Sequence, residues 1–226
     1  ERTVYNTVHL VREREDLPKT LEPTRQMAKV PDCEYGEKAQ VDFGEKWMRN
    51  AKGRQIKVHF MVMVLMRSRY KFVYLQNVPF TSKTTVYAHH LAFRYFGGVP
   101  KKVVYDQDRR MLVNENYGDY VMTDEFAKYV KSVCFEPVFC MPYDPASKGQ
   151  SEAVVKYVKN NFLAGRTYVS IDSLNDEAIG WLERTGNGKV NSSTRLVPAE
   201  EFKTERLELM PYVETMEEPE LEAREY

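Results

Sequence analysis

The spacing of apolar and polar positions changes several times along the chain, and each change marks an element. Val4, Val8 and Val11 recur at helical spacing and predict a short helix in the first segment. Asp16 to Glu37 carries three prolines and no sustained periodicity, so it reads as a linker. From Lys38 the period becomes two: Ala39, Val41 and Phe43 alternate with Gln40, Asp42 and Gly44, which predicts a half-buried strand with Asp42 on the same face as Gln40. Asn50 to Arg54, with Gly53, predicts a turn into a second strand, Lys57 to Met66. Its nearly unbroken apolar run suits a strand covered on both faces. A tight connection at Arg67 to Arg69 leads to a third strand, Tyr70 to Val78, completing an antiparallel meander.

Helical spacing follows. Thr81 or Ser82 supplies an N-cap, Val86, Leu91 and Phe93 the apolar side, and Gly97-Gly98 with Pro100 the stop. Lys102 to Tyr105 predicts a short strand ending at Asp106, Asp119 to Lys131 a helix, Glu136 to Phe139 a strand, and Met141 to Ala146 a loop holding Pro142 and Pro145. Ser147 and Gln150 have capping-box spacing, which starts a helix from about Lys148 to Leu163. Ser173 to Arg184 is a further helix. The order β-β-β-α-β-α-β-α-α predicts an α/β fold, a mixed five-stranded sheet with helices on both faces.

Composition narrows the class. The chain has 226 residues, 42% hydrophobic and 29% charged, and its longest apolar run, Phe60 to Met66, is far short of the roughly 20 residues of a membrane span. Three cysteines, Cys33, Cys134 and Cys140, are odd in number and lack Cys-x2-Cys spacing, which excludes a disulfide scaffold or a zinc ribbon. The chain opens at Glu1 without a methionine, a basic n-region or an apolar h-region, which predicts a piece excised from a longer cytoplasmic protein. Lys+Arg and Asp+Glu are 33 each, but ten acidic and three basic residues fall from Glu200 onward, leaving the rest basic. Gly44 to Lys71 holds eight basic residues and one acid, Glu45: a solvated face or the footprint of a phosphate backbone.

Three carboxylates stand where packing alone does not ask for them. Asp42 is mid-strand, Asp106 follows the fourth strand, and Glu152 lies in the first turns of the helix after the proline loop. Singly, each has an ordinary explanation as a turn residue, a loop cap or a helix-dipole partner. Together, if the first and fourth strands are neighbours, they converge; like charges that close repel unless a cation sits between them. Hard oxygen ligands select Mg²⁺ or Mn²⁺, and two such ions about 4 Å apart suit phosphoryl transfer. The four histidines, His9, His59, His89 and His90, lack ligand spacing, and no glycine-rich phosphate loop is present.

Ala39-Gln40-Val41-Asp42-Phe43-Gly44-Glu45, Val104-Tyr105-Asp106 and Ser147-Lys148-Gly149-Gln150-Ser151-Glu152 resemble the three acidic motifs of IstA-type insertion-sequence transposases. These belong to the DDE transposase and retroviral integrase superfamily, whose core has the ribonuclease H fold. The resemblance runs from about Lys38 to Pro211, with separations of 64 and 46 residues between the three acids. Gln107 stands where that family usually has Asn, and Gln150 where it usually has Lys.

The resemblance implies catalysis by Asp42, Asp106 and Glu152 holding two Mg²⁺ ions, for which Mn²⁺ can substitute. DNA is nicked at the transposon end, and the freed 3′-hydroxyl attacks target DNA. It also implies a dimer or tetramer, a helper AAA+ ATPase, no membrane and a bacterial, nucleoid-associated setting. The implied organisation is a linker with a short helix over 1–37, a catalytic domain over 38–185, and an extension over 186–226 leading to a small β domain. At 100° per residue Lys156 and Lys159 share the face of Glu152, and Lys148 extends it by one turn, either as surface ion pairs or as contacts to DNA phosphates. The alternatives are a hydrolytic nuclease of the same fold and a domesticated, non-catalytic DNA-binding protein.

Overall fold

The computed structural model describes residues 2–15, 33–106, 111–116, 119–140 and 152–213. Its two compact units are Glu1–Pro31 and Asp32–Tyr226. The first holds helix α1, Arg2–Arg14, whose Val4, Val8 and Val11 are exposed.

In the second unit, β1 (Lys38–Asn50), β2 (Gln55–Leu65) and β3 (Lys71–Gln76) form the meander, α2 spans Ser82–Phe96, and β4 is Lys102–Tyr105. Strands β5 (Leu112–Asn116) and β6 (Asp119–Met122) pair as a separate two-stranded sheet. Next come α3 (Asp124–Val133) and β7 (Glu136–Phe139). Helix α4 occupies 152–162, its last stretch, Val158–Phe162, wound as a π-helix. Strand β8 (Thr167–Tyr168), α5 (Ile171–Trp181, running into a π turn at Leu182–Gly186) and α6 (Pro198–Glu208) complete the chain.

The main sheet runs β3-β2-β1-β4-β7, antiparallel through the meander and parallel from β1 to β7, with β8 added to the end of β1. Alternation along β2 explains the two cores. Met61, Met63 and Leu65 face α2 and α3, while Phe60 and Val62 face Val158 and Phe162 of α4 and Trp181 of α5. Helix α2 begins at Thr81, whose side chain and that of Thr84 bond each other's backbone N–H in a capping box, and it ends at Gly97 with φ 68°.

Two boundaries differ from the sequence expectation. Asp119–Met122 is strand rather than helix, because it pairs antiparallel with Leu112–Asn116, and cross-strand pairing overrides the local helical spacing. Helix α5 starts earlier than Ser173, since the Ser170 hydroxyl accepts from Ser173 N at 3.1 Å. The start of the helix at Lys148 lies outside the described residues.

His89 is fully buried in the first core. Its Nδ1 donates to the Thr85 carbonyl at 2.7 Å, which leaves Nε2 to accept from the Tyr105 hydroxyl at 3.0 Å. Burial holds its pKa down to about 4 from the ordinary 6.5, against the opposing pull of the Thr85 carbonyl. The unfolded chain therefore takes up a proton below about pH 6.5 that the folded chain refuses until about pH 4, so this contribution to stability is complete above that window and lost as pH falls through it. Between pH 7.5 and 4.5 the loss is about 2–3 kcal/mol. Urea unfolding at both pH values is expected to show the wild type losing that much more than His89→Gln; equal pH dependence in the two proteins would remove His89 as its source.

Candidate active site

β1 and β4 run side by side and parallel, with Lys38 opposite Lys102 and Val41 opposite Tyr105. That register is an offset of 64 residues, which is also the separation of Asp42 from Asp106. The two aspartates are thus the next facing positions beyond the last paired rung, and facing residues of a parallel ladder project to the same side. Their neighbours hold that orientation. Val41 is buried in the first core, with Phe43 packed against it and its ring 5.2 Å from that of Phe80. Tyr105 is fully buried on the same side with its hydroxyl on His89. The residue after each anchored side chain must point the other way. Asp42 is half-buried, its Oδ1 accepting from Phe43 N at 2.7 Å, and Asp106 is exposed at the strand end.

That other side is the one α4 covers. Asp42 sits opposite Val62 of β2, a member of the second core together with Val158 and Phe162. The Lys46 ammonium donates to the Lys159 carbonyl, and farther along β1 Arg49 and Asn50 pair with Thr167 and Tyr168. The chain therefore passes from Lys159 to Thr167 as β1 passes from Lys46 to Arg49, so α4 advances along β1 with its beginning toward Asp42. Glu152 is seven residues before Lys159, about 10 Å back along a helix, and Asp42 is four before Lys46, about 13 Å back along a strand.

The register puts Asp42 and Asp106 at facing positions just past the last rung of β1 and β4, and Glu152 lies in the first turn of the helix that covers that side of the sheet. Among the described residues no group of three His, Cys, Asp or Glu side chains is close enough to hold a metal ion, so Asp42, Asp106 and Glu152 do not form a closed cluster here. The donor chemistry suits a hard divalent cation, because the residues just past the β1–β4 rung and in the first turn of the covering helix are all carboxylates.

The far end of α4 is held firmly. Val158, Phe162 and Leu163 are buried, Arg166 Nε donates to the Phe162 carbonyl at 2.6 Å, and Trp181 Nε1 donates to Asn161 Oδ1 at 2.8 Å. Lys46 and Arg166 are cations on carbonyls at a helix C-terminus, where the dipole favours them. The Glu152 end is exposed. Of the three lysines read from the sequence, Lys156 is exposed, Lys159 is half-buried at the start of the π-helical stretch, and Lys148 lies outside the described residues.

Sequence reasoning missed two supporting residues. A Cβ on Gly44 would lie 2.3 Å from Phe60 Cζ, so the ring of Phe60 occupies the face of β1 one pleat beyond Asp42 because Gly44 has no side chain. Glycine inside an alternating strand pattern is the signal for such a close approach. Lys46 gave no comparable signal, since its partner is a carbonyl 113 residues away.

No family model matches the chain. It is 48% identical over 228 residues to a transposase for an IS21-like insertion sequence element from Bacteroides fragilis, an alignment covering 100% of this chain and 44% of that protein. It is 30% identical to the transposase for insertion sequence element IS21 of Pseudomonas aeruginosa, over 78% of this chain and 45% of the relative. The chain belongs to the IS21-like insertion-sequence transposases. It spans less than half the length of either relative from that family. The backbone is also similar to the HTLV-2 integrase catalytic core domain solved in complex with magnesium, with a TM-score of 0.53 at 16% identity, covering 75% of this chain and 97% of that one. What is shared at that identity is the ribonuclease H-like fold, here carried by an IS21-like transposase chain.

Proposed function

We propose that this chain carries the catalytic centre of a DDE transposase, with Asp42, Asp106 and Glu152 as its acidic triad. The observation that supports the reading most directly is the shared 64-residue offset of the β1–β4 register and of the two aspartates. The ribonuclease H-like fold and the transposase relatives supply its context.

The three carboxylates would hold Mg²⁺, for which Mn²⁺ can substitute, as two ions per site. When bound, such ions activate an attacking oxygen and stabilise the leaving one during in-line displacement at phosphorus. The chain's own residues do the positioning. Tyr105 and Val41, locked in the first core, aim the two aspartates at one spot. The buried end of α4 fixes the helix while its exposed first turn leaves Glu152 free to approach when ions neutralise the repulsion among three carboxylates. The substrates are transposon-end DNA, nicked to give a 3′-hydroxyl, and target DNA, which that hydroxyl attacks. Lys148, Lys156 and Lys159 would hold phosphates beside the site, and the protein would act as a homo-oligomer with a helper AAA+ ATPase near the bacterial nucleoid. Residues 38–185 form the catalytic domain in this reading, preceded by a linker over 1–37 and followed by an extension over 186–226. Among the described residues no helix is long and apolar enough to cross a membrane.

A strand-joining assay with a pre-nicked, labelled transposon end and a plasmid target tests the proposal. Mg²⁺-dependent joined product is expected. Cleavage of intact ends with no joining of pre-nicked ends would make the protein a hydrolytic nuclease instead.

A further inference from the structure

The β1–β2 hairpin outruns its neighbours. Pairing of β2 with β3 begins only at His59, opposite Gln76, and pairing of β1 with β4 stops at Val41, opposite Tyr105. Residues 45–59 thus form a two-stranded ribbon that β8 joins only at Arg49 and Asn50. One of its faces is built into the second core through Met48, Val58 and Ile56. The other carries Glu45, Trp47 and Arg49 opposite His59, Lys57 and Gln55.

That second face has an unusual composition for a solvated surface. Trp47 is 59% exposed, although tryptophan is among the residues most buried on average. The Lys57 ammonium lies 5.7 Å from its ring centroid and 2.7 Å from Glu45, which neutralises the ribbon's one acid. The exposed Arg49 stands beside them. At the tip the Asn50 side chain accepts from Lys52 N at 3.0 Å and Arg54 N at 2.9 Å, and Gly53, with φ 79°, has open space around it. This braced turn carries the exposed Lys52 and Arg54.

The geometry points to a duplex-DNA docking surface on the Trp47 face of the β1–β2 ribbon, distinct from the carboxylate site, which opens on the opposite face of the same sheet. The choice of DNA as occupant rests on the transposase reading. It also rests on charge: Arg49, Lys52, Arg54 and Lys57 stand against a single acid that Lys57 already pairs. A two-stranded ribbon fits the major groove of B-DNA. A second copy of this chain docking by a two-fold contact would set the same cations against one another.

Fluorescence anisotropy of the intact protein with a labelled 30-base-pair duplex of scrambled sequence, titrated in salt, tests this. Arg49→Glu and Arg54→Glu are each expected to weaken binding about tenfold and to reduce the log–log salt slope by about 1, as the loss of a phosphate contact should. Trp47→Ala should weaken binding without changing the slope, since no charge is lost. Lys128→Glu on α3 controls for net charge, and unchanged melting temperatures exclude unfolding. If the wild type binds the duplex and the ribbon variants match Lys128→Glu, the docking surface is overturned while the transposase reading stands. If Trp47→Ala instead dissociates an oligomer in sedimentation and leaves binding unchanged, the face is a copy-to-copy interface. If the wild type binds no duplex at all, the docking surface is overturned, and the strand-joining assay decides the transposase reading separately.

Discussion

Replacing Asp42 or Asp106 with Asn, or Glu152 with Gln, is expected to abolish Mg²⁺-dependent nicking and strand transfer while leaving the fold intact. Each substitution removes one negative charge from a set that would neutralise the cations, and metal stabilisation of the transition state is worth several kcal/mol, so the loss should reach about 10³-fold or more. Stability should not follow. Asp106 and Glu152 are exposed, and Asn at position 42 keeps the oxygen that accepts from Phe43 N. In EDTA the melting temperature should be unchanged or slightly raised, because repulsion between Asp42 and Asp106 is relieved. Strand transfer by the full protein and thermal melting, measured on the same samples, separate the two effects. Near wild-type joining by one of these variants would remove that residue from the triad.

A loss of stability of about 2–5 kcal/mol is expected for Asn187→Ala, from a residue far from the carboxylates. β3 is the edge of the main sheet, and an edge strand presents unpaired N–H and C=O groups to its surroundings. Two asparagines cover it. Asn187 accepts from Lys71 N at 2.9 Å and donates to the Lys71 carbonyl at 2.9 Å, and Asn175 accepts from Leu75 N at 2.9 Å and donates to its carbonyl at 3.0 Å. Each primary amide stands in for one residue of a missing strand. Asn187 is 1% exposed, so truncation leaves a donor and an acceptor of Lys71 buried without partners. The same site holds the Lys71 ammonium, which donates to the Gly186 carbonyl at 2.6 Å and whose pKa burial pulls down to about 8, with Arg69 adding to the effect. Melting should fall by about 10 °C. Asn187→Asp should lie between, because a carboxylate still accepts from Lys71 N but cannot donate to its carbonyl. An unchanged melting temperature for Asn187→Ala would show that water replaces the amide at that edge.

The fold, and the placing of Asp42 within a strand and of Asp106 just past one, were legible in the sequence because their signals are local. Ala39, Val41 and Phe43 alternate with Asp42 in the chain as they do in the sheet, and the apolar run of β2 forecast its burial on both faces. Thr81 and Gly97 marked the ends of α2 through backbone chemistry confined to one turn. The helix containing Glu152 was legible too, from Val154, Val158 and Phe162 on one side of it.

What the tertiary structure alone decided involves partners distant in the chain. The 64-residue offset became a juxtaposition only when β4 paired with β1 in parallel. Lys46 on the Lys159 carbonyl, the His89–Tyr105 bond behind Asp106, and the asparagine clamps on β3 join residues with no periodic relation. The π-helical turn at Val158–Phe162 departs from the 100° arithmetic applied to the lysines, and Trp47 in an alternating strand is indistinguishable by pattern from a core residue. Periodicity reports which side of its own element a residue takes. Which neighbour covers that side is settled by packing, which for β1 buries Met48 in the second core and leaves Trp47, the next residue back, in solvent.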